Sequence, residues 1–468
     1  MASSEYDLIV IGAGSGGLTG ARFAARVGAR VALVEGRRIG GDCTWTGWVP
    51  STALLRAARA AREVRAARRF GIATGEPRTD MSAVRDYVRT AIGRVYEQET
   101  PARLEEEGVT VVEGAGRFID AHTLAVGDQT LSARRFLIST GARPIVPPIA
   151  GLDQVTFQTY EQIFDNDQLP ASLLVLGGGP IGVELAQAYG RLGSAVTIVT
   201  DELLPREDDE VRVLLQAVLE REGVTVAWGR ATSARVDGGT IAIATTGGVS
   251  RGERLLVAVG RRPTVEGLDL HRAGVRHSQG GVAVDSRLRT SVPHIYACGD
   301  VTGGPQFTHL AAWQGFQAAR NALLPGSSAG DATVVPRVTF TDPEIAHVGA
   351  SLSEARIAHG AGVRAVRRDL DRTDRAVCEG DDDGFVRLVV GSDGTILGGT
   401  VVAGRAGEVI AEIGLAVARR LTMADVAATV HPYPTYSTAL QQAASESALD
   451  RFMGRPSGRL ARWWARGV

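Results

Sequence analysis

Tyr6-Asp7-Leu8-Ile9-Val10-Ile11-Gly12-Ala13-Gly14-Ser15-Gly16-Gly17 is an apolar run that breaks into glycines. The run predicts a strand over Tyr6–Ile11, a turn over Gly12, Gly14 and Gly17, and a helix over Leu18–Val27. A second apolar strand, Ala29–Val34, ends in Glu35, about 20 residues further on, where a dinucleotide fold wants a carboxylate. Each part has a physical reason. Glycines admit a pyrophosphate to the backbone, the helix start offers unpaired N–H groups and the positive end of its dipole, and the acid accepts from ribose hydroxyls.

The pattern recurs. Leu173–Leu176 reads as a strand, Gly177, Gly179 and Gly182 as its turn, Val183–Leu192 as the helix and Val196–Val199 as the next strand. Two such units in tandem imply FAD in one and a nicotinamide in the other. At the second strand end stand Thr200 and Asp201, with Arg206 beyond. Asp201 suits a free ribose and repels a 2'-phosphate, whereas Arg206 suits a phosphate, so the reading leans to NADH and leaves NADPH open.

The composition excludes other classes. The 468 residues, 44% hydrophobic, are enough for two or three cored domains. A formal net charge of −1 gives no footprint for nucleic acid. Three cysteines, Cys43, Cys298 and Cys378, are too few for a secreted disulfide framework and lack metal-ligand spacing, so no metal is expected and a reducing cytoplasmic setting is. No apolar run is long enough to span a bilayer, and residues 1–7 lack the pattern of a targeting leader. Every basic residue other than histidine is arginine, which removes lysine Schiff-base chemistry.

Between the two glycine turns lies Gly40-Gly41-Asp42-Cys43-Thr44-Trp45-Thr46-Gly47-Trp48-Val49-Pro50-Ser51-Thr52. This segment resembles Gly-Gly-x-Cys-x-x-x-x-Cys-x-Pro-Ser-Lys of the flavoprotein pyridine nucleotide-disulfide oxidoreductases, which include dihydrolipoamide dehydrogenase, glutathione reductase and mercuric reductase. Trp48 takes the place of the second cysteine and Thr52 that of the lysine. The chain is similar to that family with its redox disulfide removed.

The resemblance runs from Tyr6 to about Ala444. It implies an α/β architecture of two Rossmann-like domains, for FAD over 1–150 with 266–333 and for NAD(P) over 151–265, followed by an α+β dimerisation domain over 334–468. Gly41, Asp42, Cys43, Thr140 and Gly141 are implied at the flavin, with Pro144, Pro147 and Pro148 as a linker. Gly260 ends the nicotinamide domain. Gly299-Asp300 matches a second flavin fingerprint, and a helix over Gln306–Asn321 brings Thr308, His309 and Ala311 beneath the flavin ring. Glu184 matches a glutamate that pairs with the missing lysine and is read as a possible acid-base group. Helices are expected from Pro50 to about Arg69 and over Met81–Glu107. Cys298 is read as buried filler and Cys378 as part of a strand.

In His431-Pro432-Tyr433-Pro434-Thr435-Tyr436-Ser437-Thr438 the family's catalytic histidine is replaced by Tyr433 and its orienting glutamate by Thr438, while His431 stands two residues upstream. The resemblance implies a homodimer with the active site shared across the interface, so Trp45 and Trp48 with the partner's Tyr433 and Tyr436 are expected to form an aromatic chamber. The tail, Arg451 to Val468, alternates arginines with Leu460, Trp463 and Trp464; a membrane-surface helix is one reading of that pattern, and the expected one is a helix packed on its own domain with solvated arginines.

An indole is not a two-electron thiol relay. The expected function is therefore direct hydride transfer between flavin and a small non-disulfide organic substrate, with NAD(P)H as donor. Cys43, Trp48, Glu184, His431 and Tyr433 are the candidate catalytic residues. An oxygen-using dehydrogenase or oxidase, a soluble transhydrogenase and a catalytically silent redox sensor remain alternatives.

Overall fold

A computed structural model describes residues 5–381 and 383–467. The leader reading at residues 1–4 and Val468 of the tail lie outside them. The chain forms two compact units, one of residues up to 206 with 216–332, the other of 207–215 with 333 onward.

The first unit holds two parallel sheets. One runs Ile295–Ala297, Phe136–Ile138, Leu8–Ile11, Val31–Glu35, Val109–Glu113. Its central strand, Leu-Ile-Val-Ile, is buried throughout, as expected of a parallel strand covered on both faces. The other runs Thr225–Trp228, Ala195–Thr200, Ser172–Leu176, Arg254–Val257. Between the two parts, Ala142–Pro144 pairs antiparallel with Arg261–Pro263. Pro144 thus belongs to a strand rather than to a free linker.

Helix Ser15–Arg26 packs on helix Thr308–Leu323 through glycines: a Cβ on Gly315 would lie 2.0 Å from the Gly16 carbonyl oxygen. Both helices start within three residues of their predicted starts. The helix expected from Pro50 begins at Trp48 and ends at Ala66, followed by a 3-10 turn over Ala67–Phe70. The helix predicted over Met81–Glu107 is two helices, Met81–Tyr96 and Pro101–Glu106. Pro101 has no N–H and its ring obstructs a preceding turn, so it starts a helix, capped by Thr100, instead of continuing one.

The second unit is built on an antiparallel sheet in the order Arg337–Thr339, Glu344–Gly349, Ile396–Ala403, Phe385–Val390, Arg364–Asp369. Helices Ala406–Ala418 and Ser437–Met453 contribute to its core. Cys378 is exposed on helix Asp374–Glu379 and not in a strand. Its β-branched neighbour Val377 made the segment look extended, but the solvent-facing turn imposes no strand pairing.

Candidate active site

The first glycine turn is shaped by close approach. Gly12 has φ +99°, and a Cβ there would lie 2.5 Å from the Ser139 carbonyl oxygen; a Cβ on Gly17 would lie 1.8 Å from that of Gly12. Gly14, by contrast, faces open space. It begins helix Ser15–Arg26 with no side-chain cap and no acid in the first turn. Glu35 Oε2 accepts from Ala13 N and Oε1 from Arg37 N, each at 2.7 Å, so the carboxylate sits beside the turn.

The second turn repeats this. A Cβ on Gly177 (φ +117°) would meet the Ala258 oxygen at 2.5 Å and one on Gly182 the Gly177 oxygen at 2.0 Å, while Gly179 is open. Helix Pro180–Leu192 likewise lacks a side-chain cap and a first-turn acid. The buried Thr200 accepts from Gly178 N at 3.1 Å and donates to Glu202 O at 2.8 Å. Asp201 is left exposed at the strand end, and Arg206 is exposed but engaged. Gly260 (φ +127°) accepts from Ile145 N at 3.0 Å, fastening the crossover. Two uncapped helix starts, each opposite a glycine with open space, fit the anionic pyrophosphates of FAD and a nicotinamide dinucleotide.

Gly41 (φ +59°) touches the first turn: its Cβ would lie 2.8 Å from Gly14 Cα. Asp42 follows, and its Oδ2 accepts from Arg261 Nη2 at 2.5 Å and from the Tyr160 hydroxyl at 3.3 Å. Arg261 Nη2 also stands 3.2 Å from Asp300 Oδ2. Two carboxylates that sequence placed at the flavin thus share one guanidinium, whose Nε has no hydrogen-bond partner. Burial pushes both carboxyls above the usual range, with Arg261 opposing the rise. Neither Arg261 nor Tyr160 was predicted. Arg261 follows Gly260 directly, a signal that was available; Tyr160 offered none.

Cys43 hydrogen-bonds Ser15 and Thr308, each the first residue of a helix. Helix starts favour a thiolate, yet burial outweighs them and raises the Cys43 thiol above its ordinary value. Gly299 (φ +72°) donates its N–H to Gln314 Oε1 at 2.9 Å. His309 stacks 5.3 Å from Phe307, and a Cβ on Gly16 would lie 3.0 Å from Ala311 O. Thr140 donates to Thr264 O at 2.7 Å, and Gly141 (φ +68°) is open. Cys298 is fully buried with its thiol pushed up to about 12, the filler role expected of it.

Trp48 is half-buried at the start of its helix, whereas Thr52 is exposed. Glu184 is 5% exposed and is engaged by a neighbour, so it is not the unpartnered carboxylate that the missing lysine suggested. Trp45 donates Nε1–H to Ile39 O at 2.7 Å, packs 5.0 Å from Tyr96 and lies under the Arg38 guanidinium. It lines a cavity of about 350 Å³ with Val88, Ile92 and Phe164.

In the second unit, Tyr433 is 68% exposed and donates its hydroxyl to Asp374 Oδ2 at 2.5 Å. That bond raises the phenol above its ordinary value. His431 sets Nε2 2.6 Å from Glu412 Oε1 and Nδ1 2.9 Å from Thr429 O. Thr438 lies 3.3 Å from Thr435 N, at the turn that starts its helix. Tyr436 corrects the chamber expectation: it is 6% exposed, packed in this unit's core, with its hydroxyl on Asp381 at 3.3 Å. An aromatic after a proline turn reads alike whether it points in or out. The acids Asp374 and Glu412 were missed because they are 59 and 19 residues from their partners.

Residues 6–315 match the pyridine nucleotide-disulphide oxidoreductase model and residues 335–444 its dimerisation domain. The chain is 39% identical to a mercuric reductase of Streptomyces lividans, over 96% of this chain and 98% of that one. It is 36% identical to a dihydrolipoyl dehydrogenase of Thermus scotoductus, over 94% and 96%. Among solved structures it is similar to LpdA from Mycobacterium tuberculosis, with TM-score 0.86 and 31% identity over 94% of this chain and 99% of that one. The HOCl-induced flavoprotein disulfide reductase RclA from Escherichia coli gives 0.85 at 27% identity, over 94% and 99%. Among the described residues no helix is long and apolar enough to cross a membrane, and no cluster of metal-ligating side chains is found. The chain belongs to the pyridine nucleotide-disulphide oxidoreductase family and is an FAD-dependent oxidoreductase with NAD(P)H as its electron donor.

Proposed function

We propose that this enzyme reduces a small, non-disulfide organic molecule such as a quinone or a conjugated metabolite, with NADH as the preferred donor. FAD, when bound, supplies the centre that accepts a hydride from the nicotinamide and passes it on. The observation that carries the reading is the state of the 43–48 segment: one cysteine, its thiol held protonated by burial, and an indole where a second thiol would be needed. The other two cysteines do not replace it. Cys298 is sealed between helices, and Cys378 lies on an exposed helix of the other unit.

The chain's own groups take these proposed roles. Gly12, Gly14, Gly17, Glu35, Gly41, Asp42, Gly299 and Asp300 hold FAD, and Gly177, Gly179, Gly182 and Asp201 hold the nicotinamide dinucleotide. Trp48 offers an apolar surface to the acceptor. Tyr433, kept protonated by its bond to Asp374, donates a proton to the reduced product from the second subunit of a homodimer. Glu184 and the His431–Glu412 pair are secondary acid-base candidates. The relatives named above include a mercuric reductase, a dihydrolipoyl dehydrogenase and a flavoprotein disulfide reductase; the proposal departs from these activities because position 48 carries an indole and not a second thiol.

The test is anaerobic reduction of the purified yellow enzyme by NADH, followed by a panel of quinones, conjugated carbonyls and small disulfides. Turnover with organic acceptors and none with disulfides is expected. Brisk reduction of a small disulfide rejects the proposal.

A further inference from the structure

Residues 451–468 lie beyond the matched dimerisation domain, which ends at residue 444. They carry five arginines and no aspartate or glutamate, in a chain whose net charge is −1. Helix Pro456–Ala465 is seated on the preceding helix by Gly458, where a Cβ would lie 2.4 Å from Phe452 O. Arg462 reaches back to donate to Met453 O at 2.8 Å.

That seating fixes which face looks outward. Leu460, Trp463 and Trp464, at helical spacing i, i+3 and i+4, form one apolar face and are 57%, 52% and 72% exposed. Arg455, Arg459, Arg462 and Arg466 recur every three or four residues, all exposed, and form a basic stripe beside it. The helix packs on its own domain through Gly458 with its arginines exposed, as expected, and it leaves Leu460, Trp463 and Trp464 largely exposed as well. At ten residues the helix is roughly 15 Å long, half of a bilayer's hydrocarbon thickness. It can lie on a membrane and cannot cross one.

We infer that helix Pro456–Ala465 is a docking surface for anionic phospholipid bilayers. The two indoles and Leu460 enter the boundary between headgroups and acyl chains, where amphipathic aromatic rings are favoured. The arginine stripe bonds lipid phosphates through its guanidinium forks. A second copy of the chain is a poorer occupant. Were a two-fold axis to pass beside this helix, its four arginines would face those of its copy, and residues 451–468 carry no acid to set between them. The inference is independent of the reaction proposed above.

The experiment is co-sedimentation of the full-length holoenzyme with phosphatidylglycerol-containing vesicles and with pure phosphatidylcholine vesicles. Pelleting with the anionic vesicles, weakened by high salt, is expected. Trp463→Ser with Trp464→Ser is expected to lower the partition by roughly tenfold or more, with flavin content and thermal transition unchanged. Arg459→Gln with Arg462→Gln is expected to remove the preference for anionic lipid. Equal binding to both vesicles, or none to either, overturns the inference. So does a tryptophan double variant that still binds vesicles but sediments as a smaller oligomer, which would make this face a subunit contact.

Discussion

Replacing Arg261 by methionine keeps most of the side chain's volume and removes the one cation shared by Asp42 and Asp300. The side chains of Arg261, Asp42 and Asp300 are 18%, 29% and 12% exposed, so solvent replaces little of the lost attraction. Stranding a buried charge by deleting its partner costs about 3–5 kcal/mol. The cost has a ceiling, because each carboxylate can instead take up a proton; from an ordinary value near 4, that costs about 4 kcal/mol at pH 7. The first unit spans roughly 320 residues, and about 2.1 cal/mol/K per residue gives an unfolding entropy near 0.7 kcal/mol/K. The expected fall in Tm at pH 7 is therefore about 4–7 °C. The pH dependence follows in sign. Both carboxyls already sit above their unfolded values, so the native state binds more protons than the unfolded one and stability drops as pH rises through the folded values. Without Arg261 those values rise further, so the gap between variant and parent narrows toward pH 5 and widens toward pH 8. Scanning calorimetry at fixed heating rate across that range, with flavin content checked at each pH, measures it. A shift below about 1 °C at pH 7, or one that does not vary with pH, would mean that the three groups are not electrostatically coupled, and the reasoning would fail.

Four other outcomes are expected. Trp48→Cys supplies the missing thiol, so oxidised protein should titrate two fewer thiols than its sequence holds and should gain turnover with a small disulfide; unchanged thiol counts would show that the backbone at 43–48 does not suit a bridge. Asp201→Arg should move the ratio of kcat/KM for NADPH over NADH upward by at least tenfold, about 1.4 kcal/mol, and an unmoved ratio would place the ribose elsewhere. Tyr433→Phe removes the bond to Asp374 from an exposed residue, so the thermal transition should hardly move while acceptor turnover falls by roughly 10²-fold or more and its alkaline pH limb shifts; equal turnover would remove the tyrosine as proton donor. Iodoacetamide near neutral pH should label exposed Cys378 first and leave activity intact, because burial keeps the Cys43 thiol protonated.

The glycine turns were readable because their requirements are local. Gly12 and Gly17 are squeezed against neighbouring backbone, where only a residue without a Cβ fits, so the glycine spacing itself marks the turn. The strands were readable for a similar reason, since a run such as Leu8–Ile11 has no polar face to offer solvent. What was not readable depends on distance along the chain. Arg261 meets Asp42 across 219 residues and Tyr433 meets Asp374 across 59, and no periodicity encodes such a meeting. Orientation was also hidden: Tyr433 and Tyr436 flank the same Pro-Thr pair, yet one is exposed and the other closes a core.

The replaced positions bear on whether the family's chemistry has decayed here or been rebuilt. Decay leaves functional groups without partners, since nothing selects their surroundings. In this chain the substituted tyrosine has a carboxylate at 2.5 Å, the remaining histidine has another at 2.6 Å, and Glu184 is engaged although its usual lysine partner is gone. Thr438, in the place of the orienting glutamate, bonds the turn that starts its own helix and leaves the phenol to Asp374. The polar groups at these positions are therefore partnered, while Gly12, Gly17, Gly177 and Gly182 are closely approached by neighbouring backbone and Gly14 and Gly179 face open space. Acceptor turnover abolished by Gly179→Trp but retained in Cys43→Ser would place the electron path through the nicotinamide site and away from sulfur, as a rebuilt enzyme requires; the converse pattern would restore the thiol to the mechanism.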